Sequence, residues 1–154
     1  MNARWLVPHD FSSFGEAALN EAVLDMKSHG NGKIFLLHAV MLPLPAGIAF
    51  PEGVAGAVSS QVDLRRRALL AAEDGLKNEQ VRVKQEHDMD VETLALEGDP
   101  MECIFRAAKD NECNRIIMGS HGRRGLDRYL LGSVAEKIVR RSEIPVLVVK
   151  TPRE

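Results

Sequence analysis

Short apolar runs and longer amphipathic stretches follow one another along this chain, and their alternation predicts strands and helices in turn. The run at 33–40 is too apolar for a surface strand and too short for a typical helix, so a parallel sheet covered on both faces is expected. Strands are predicted over 4–8, 33–40, 91–97, 115–118 and 145–150. Helices are predicted over 13–28, 57–80, 100–111 and 133–141, and the charged stretch 81–90 either extends the second helix or forms a loop.

This order of elements predicts an α/β fold. Right-handed crossovers turn it into an open five-stranded parallel sheet, Rossmann-like with strand order 3-2-1-4-5, and with helices on both faces. In such sheets ligands bind at the carboxyl ends of the strands, where the winding reverses. The last strand, between Pro145 and Lys150, should lie on an edge. Open backbone groups on an apolar edge favour pairing with a second copy, so a homodimer through this strand is expected.

Three helix starts carry capping signals. Ser13 with Glu16 and Ser133 with Glu136 form S-x-x-E capping boxes, and Asp99 is the predicted N-cap of the third helix. Along the second helix, apolar positions recur at helical spacing and are expected to face the core. These positions are Val58, Val62, Leu69, Ala72 and Leu76.

The fourth strand is followed by a glycine-rich loop. It carries Gly122, Arg123 and Arg124, and Gly132 precedes the predicted helix start at Ser133. Glycines let backbone amides approach an anion, a helix N-terminus carries partial positive charge, and arginines donate charge-assisted hydrogen bonds to phosphate. Glycines between a strand and a helix are also common as plain turn formers. Local sequence therefore leaves phosphate binding and a simple turn both open.

Composition narrows the class of protein. The 154 residues, 45% hydrophobic and 27% charged with a net charge of -2, indicate one globular domain over 1–154. Arginine clusters separated by acidic residues, without interleaved aromatics, give no indication of nucleic-acid binding. Cys103 and Cys113 form neither a CxxC pair nor a disulfide framework, which favours the cytoplasm. Residues 34–51 are uncharged, but prolines interrupt them, so we interpret them as a buried strand and an apolar loop rather than a membrane span.

The loop from Gly119 to Ser133 reads GSHGRRGLDRYLLGS and fits the pattern G-x2-G-x9-G-[ST]. This pattern resembles that of the ATP-binding branch of the universal stress protein family. The resemblance extends over nearly the whole chain, with LVPHDFS at 6–12, LLHAV at 36–40, EGDP at 97–100 and IPVLVV at 144–149. It implies a regulatory module for the stress response that binds ATP or another adenine nucleotide, with Mg²⁺, and acts on an unknown signalling partner.

The resemblance also implies a site. Its adenosine end is expected at Pro8, Asp10 and Val40, with Met118 and Gly119 beneath the nucleotide. Phosphate contacts are implied from Gly122, Arg123, Gly132, Ser133 and Val134, and His121 is a further expected ligand contact because it lies in the loop. The sequence contains neither a GxxxxGK[ST] motif nor a GxGxxG motif, which argues against a P-loop protein and against a dinucleotide-binding domain.

Alternatives to a nucleotide-binding module are slow ATP hydrolysis and a dimeric adaptor that binds no nucleotide. Hydrolysis would rely on Asp10 as the one plausible carboxylate, with Arg123 or Arg124 stabilising phosphate charge. Asp10 could instead cap the first turn of its helix. A metal site formed by the chain's loop and strand histidines is a weaker hypothesis, because their spacing matches no metal signature. These histidines are His9, His38 and His121, and in an apolar strand His38 is more often a satisfied core residue.

Overall fold

A computed structural model describes residues 2–41, 55–122 and 131–150, with the backbone alone described for 55–61. Strand and helix alternate throughout these ranges, as predicted. The elements are β1 (Ala3–Pro8), α1 (Ser13–His29), β2 (Gly32–Val40), α2 (Ala55–His87), β3 (Val91–Glu97), α3 (Pro100–Asp110), β4 (Arg115–Gly119), α4 (Ser133–Arg141) and β5 (Val146–Val149).

The five strands form one parallel sheet in the order β3-β2-β1-β4-β5, which confirms the predicted topology. In the register, Leu6 of β1 lies opposite Phe35 of β2 on one side and Ile116 of β4 on the other. The chain therefore winds outwards from β1 in both directions. Between β1 and β4 the winding reverses, and this is the place where open α/β sheets form a crevice at their carboxyl edge.

Helices cover both faces of the sheet, because the apolar residues of the strands alternate between two cores. One core joins Trp5 and Val7 of β1 to α1 and α2, and it includes Leu19 and Leu76. The other core joins Leu6 and its neighbours to α3 and α4. Trp5, Leu6 and Val7 are all buried, so β1 is enclosed from above and below.

The second helix is longer than predicted. It continues through the charged stretch to His87, where Val83 is buried in the core, so 81–90 largely extends the helix. Its 33 residues span about 50 Å, whereas the nine residues of β2 span about 30 Å. The amino-terminal part of α2 therefore extends past the sheet. The prediction that Val62 faces the core is wrong, since 57% of that residue is exposed, and the side chain of Val58 lies outside the described residues.

Two of the three predicted caps are displaced by one residue. Ser12, not Ser13, is the N-cap of α1, and its hydroxyl accepts the Gly15 N–H at 3.4 Å. Gly132 is the N-cap of α4, and no side chain in the described part of the chain caps the helix there, so Ser133 and Glu136 form no capping box. The Gly132 N–H is already held by the Ser120 carbonyl at 2.8 Å, which fixes the entry of the chain one residue before the serine.

The third predicted cap is confirmed. Asp99 Oδ1 accepts the N–H groups of Met101 and Glu102 at 2.9 and 3.2 Å. β5 is an edge strand, also as predicted. Among the helices that the structure describes, none combines the length and the apolar character needed to cross a bilayer.

Candidate functional site

The carboxyl ends of β1 and β4 extend the sheet by one residue and then turn. The His9 N–H donates to the Leu37 carbonyl at 2.7 Å, and the Ser120 N–H donates to the Val149 carbonyl at 2.8 Å. These bonds hold the start of each turn in register with the neighbouring strand. Asp10 and His121 consequently begin their loops from fixed positions on either side of the reversal point.

Asp10 lies in the turn between β1 and α1. Its Oδ1 accepts the N–H of Ser12 at 3.1 Å and the hydroxyl of Ser12 at 2.5 Å. The prediction that Asp10 itself caps α1 is therefore wrong. Ser12 is the cap, and Asp10 holds Ser12 in place by an Asx-type turn. Oδ2 is directed elsewhere, toward the glycine loop.

Gly122 comes close to this carboxylate. A Cβ atom placed on Gly122 would lie 2.7 Å from Asp10 Oδ2, too close for any side chain without movement. Gly119 is equally restricted, because a Cβ there would lie 2.8 Å from the backbone of Phe14. The glycines thus allow the start of the loop to lie against the first turn of α1 and beside Asp10.

The loop returns to its own beginning at Gly132, whose N–H bonds the Ser120 carbonyl. A Cβ on Gly132 would lie 3.2 Å from the His121 Cα. The amino end of α4 is therefore beside the end of β4. No side chain of the described residues caps this end, and the first N–H groups of such a helix, here at Ser133 and Val134, suit an anion.

Two other predicted residues lie on the same edge of the sheet. Pro8 is the half-buried last residue of β1 and lies opposite Leu37. Val40 is the buried last residue of β2, and its carbonyl accepts the Gly98 N–H at 3.1 Å. Met118, in contrast, is buried in the core beneath α3 and α4. Arg123 lies outside the described residues.

The three histidines do not form a metal site within the described part of the chain. His38 is half-buried and donates from Nδ1 to the His9 carbonyl at 2.7 Å, which confirms it as a satisfied residue. The His121 ring contacts Phe14, with centroids 5.3 Å apart. Within the described ranges, no three His, Cys, Asp or Glu side chains come together as a metal site.

His9 is buried, and its Nδ1 accepts the N–H of Phe11 at 3.1 Å. The neutral ring then carries its hydrogen on Nε2, which is buried and has no hydrogen-bond partner among the residues that the structure describes. Loss of hydration lowers the pKa of His9 below its ordinary value of 6.5, against opposing attraction from Glu79 and Asp10. The imidazole is thus held in its neutral form.

Comparison with known proteins identifies the family. The family model described as "Universal stress protein family" matches residues 1–150. The universal stress protein MJ0577 of Methanocaldococcus jannaschii is 33% identical over 156 residues, covering 97% of this chain and 96% of that protein. The chain belongs to the universal stress protein family.

The solved structure of MJ0577 also resembles this universal stress protein throughout its length, with a TM-score of 0.79 at 29% identity and coverage of 100% and 99% of the two chains. A family member from Arabidopsis thaliana, solved with AMP bound, has a TM-score of 0.64 at 20% identity over 97% and 92% of the chains. A universal stress protein in complex with cAMP has a TM-score of 0.61 at 22% identity over 98% of each. The last two comparisons establish a shared fold.

Sequence reasoning missed two participants in the turn that carries Asp10. Ser12 bonds the carboxylate, and Phe11 bonds His9. The adjacent serines Ser12 and Ser13 are equally suited to cap a helix, so only the backbone geometry separates them. Nothing local marks Phe11, because two of the residues that its ring contacts, His38 and Gly75, lie on other elements.

Proposed function

We propose that this universal stress protein binds an adenine nucleotide, ATP foremost, at the carboxyl edge between β1 and β4. The observation that carries the proposal is the approach of Gly122 to the Asp10 carboxylate, 2.7 Å from an added Cβ, at the reversal point of the sheet. This contact joins the turn after β1 to the glycine loop after β4. A carboxylate that can accept ribose hydroxyls and the backbone amides of a helix start are what the two ends of a nucleotide require.

The phosphate end is proposed at the start of α4. Here the N-cap residue is Gly132, which has no side chain to cap the helix, and the first amides carry the partial positive charge of the helix N-terminus. Ser133 and Val134 are proposed to supply backbone amides, Gly122 and Gly132 allow the phosphate to approach the backbone, and Arg123 supplies a positive charge in the same loop sequence. Phosphate held by backbone amides needs no lysine of the P-loop type.

The adenosine end is proposed beside β1 and β2, where Pro8, Asp10 and Val40 end neighbouring strands or follow them directly. Gly119 lies beneath, and its missing side chain keeps the strand end close to α1. The relatives solved with AMP and with cAMP support an adenine nucleotide as the ligand class. The preference for ATP rests on the glycine pattern between Gly119 and Ser133.

Mg²⁺ is proposed to arrive with the phosphates. The described residues bring together no set of protein ligands for a metal, and Asp10 Oδ1 accepts two hydrogen bonds from Ser12. Mg²⁺ commonly keeps most of its coordination shell from phosphate oxygens and water. It would neutralise phosphate charge, and the chain's own contribution would be the amides of the loop.

We further propose that the protein is a single-domain homodimer in the cytoplasm, paired through β5, and that nucleotide occupancy regulates a signalling partner in the stress response. β5 forms one edge of the described sheet, and Leu147 there is 36% exposed. A two-fold partner strand would satisfy the outward backbone groups.

Gly122→Val tests the site. A branched side chain beside Asp10 displaces the loop, so the affinity for ATP with Mg²⁺ should fall at least roughly tenfold, since this needs only about 1.4 kcal/mol. Glu143→Ala, an exposed change between α4 and β5, is the control and should bind like the wild type. Calorimetric titration of folded variants measures the effect. Equal affinity in folded Gly122→Val protein would contradict the proposed site.

A further inference from the structure

Phe11 occupies an unusual position immediately after Asp10. Its φ is 61°, in the left-handed region that a residue with a bulky side chain rarely adopts. Such a conformation persists only where surrounding contacts impose it. The contacts of Phe11 therefore show which residues keep the turn in this conformation.

The Phe11 ring lies within a small aromatic cluster. Its centroid is 5.3 Å from that of His9, in an edge arrangement, and 4.6 Å from that of His38. On its far side the ring meets α2 at Gly75, where an added Cβ would lie 2.7 Å from Cζ and 2.8 Å from Cε1. Phe11 thus bridges the end of β1 and the middle of α2.

Gly75 lowers the stability of α2 at its position. Glycine in a helix interior is less favourable than alanine, and this position lies well inside the 33-residue α2. Neighbouring core positions of the same helix, Ala72 and Leu76, carry side chains. The missing side chain at Gly75 leaves a notch that the Phe11 ring fills.

The same cluster holds the backbone on both sides of Asp10. Before it, the His9 carbonyl accepts a hydrogen bond from His38 Nδ1 at 2.7 Å. After it, the Phe11 N–H donates to His9 Nδ1 at 3.1 Å. Both histidines contact the Phe11 ring, so a displacement of the ring would disturb both bonds and the residue between them.

We propose that Phe11 is a positioning residue for the nucleotide site, seated in the Gly75 notch so that the Asp10 carboxylate is held against Gly122. This inference rests on the proposed function and adds a mechanical link from α2 to the site. Because binding couplings are reciprocal, nucleotide binding and the seating of Phe11 on α2 stabilise each other.

The experiment uses Gly75→Ala, Phe11→Leu and the double variant of the full chain. Gly75→Ala fills the notch and displaces the ring, so the affinity for ATP with Mg²⁺ should fall roughly tenfold, a typical coupling between contacting groups. This loss should occur although alanine favours the helix. In the double variant the shorter leucine leaves room for the new methyl group, so its affinity should recover to within roughly threefold of the wild type. Asp74→Ala, an exposed neighbour on α2, is the matched control.

The outcomes separate the two proposals. If wild-type protein does not bind ATP, the proposed function fails and this inference fails with it. If the wild type binds and Gly75→Ala binds equally well, Phe11 does not position the site. If the double variant is no better than Gly75→Ala, the link through the ring is wrong. If Gly75→Ala does not fold, the ATP affinities of Phe11→Leu and of the double variant are compared instead. The inference requires the double variant to bind ATP more tightly than Phe11→Leu, and equal affinities would contradict it.

Discussion

His9 illustrates how a single residue can join stability to the geometry of the site. It is buried and accepts the Phe11 N–H through Nδ1, and within the described part of the chain its Nε2 has no partner. Burial lowers the pKa of His9, and His38 and Arg82 lower it further. The carboxylates of Glu79 and Asp10 raise this pKa but do not offset the effect of burial. The folded state consequently disfavours the protonated ring relative to the unfolded chain.

This shift predicts that the free energy of unfolding depends on pH. Because the pKa in the folded state is lower than in the unfolded state, the stabilising contribution is present above about pH 6.5. It is lost as the pH falls from there toward the folded pKa, by up to about 1.4 kcal/mol per pH unit. His9→Asn retains an acceptor for the Phe11 N–H and removes the titration.

Urea unfolding at about pH 7.5 and about pH 5.5 measures the difference. The wild type should lose more stability than His9→Asn between these conditions, because only the wild-type ring takes up its proton more readily in the unfolded chain. Equal losses in the two proteins would show that His9 does not titrate differently in the folded state.

Residues of the site could be predicted to different extents. The spacing of Gly122 and Gly132 in the loop pattern was sufficient to place both beside the end of β4, and the position of Asp10 after β1 placed it on the same edge. Phe11 and Gly75 were not predicted, because their contact joins distant parts of the chain. Periodicity describes one element at a time and contains no information about such a pair.

At the scale of elements, helix caps provide a direct test. Asp99→Ala removes an acceptor for two N–H groups at the start of α3 and should destabilise the protein by about 1 kcal/mol. Ser133→Ala should change stability by less than about 0.5 kcal/mol, because Ser133 is exposed and caps nothing. Urea unfolding of the two variants measures both effects. If Ser133→Ala loses as much stability as Asp99→Ala, the result would support the capping box that the sequence predicted at Ser133 and Glu136.

The alternation of elements was sufficient for the sheet order, but not for every boundary. α2 shows why, since its apolar spacing continues beyond the part that contacts the sheet, and Val62 and Leu64 are 57% and 58% exposed. Periodicity in the sequence shows that a helix has an apolar face, but it does not show where the sheet under that face ends. The cap at Gly132 depends similarly on Ser120, a contact across the loop.

At the scale of the whole molecule, the edge strand determines the proposed assembly. The bonds from β5 to β4 use the carbonyls of Pro145 and Val149, so in a parallel ladder the amide of Val148 faces away from β4. Proline is tolerated at edge positions whose N–H faces outward. Val148→Pro should therefore leave the subunit folded and prevent pairing through β5.

Sedimentation velocity, with circular dichroism as the check on folding, would show the wild type as a dimer and Val148→Pro as a monomer. The exposed variant Glu143→Ala should remain dimeric. A folded Val148→Pro protein that sediments with the wild type would place the dimer interface elsewhere.

Identification of the small molecules that the protein carries would show whether the edge between β1 and β4 holds an adenine nucleotide. Purified protein is denatured, the released small molecules are identified by mass spectrometry, and the stripped, refolded chain is titrated with ATP and Mg²⁺. We predict ATP, ADP or a related adenine nucleotide among the released molecules, and saturable binding of ATP. Protein that releases no nucleotide and also gives no binding signal with ATP would contradict nucleotide binding at this edge of the sheet.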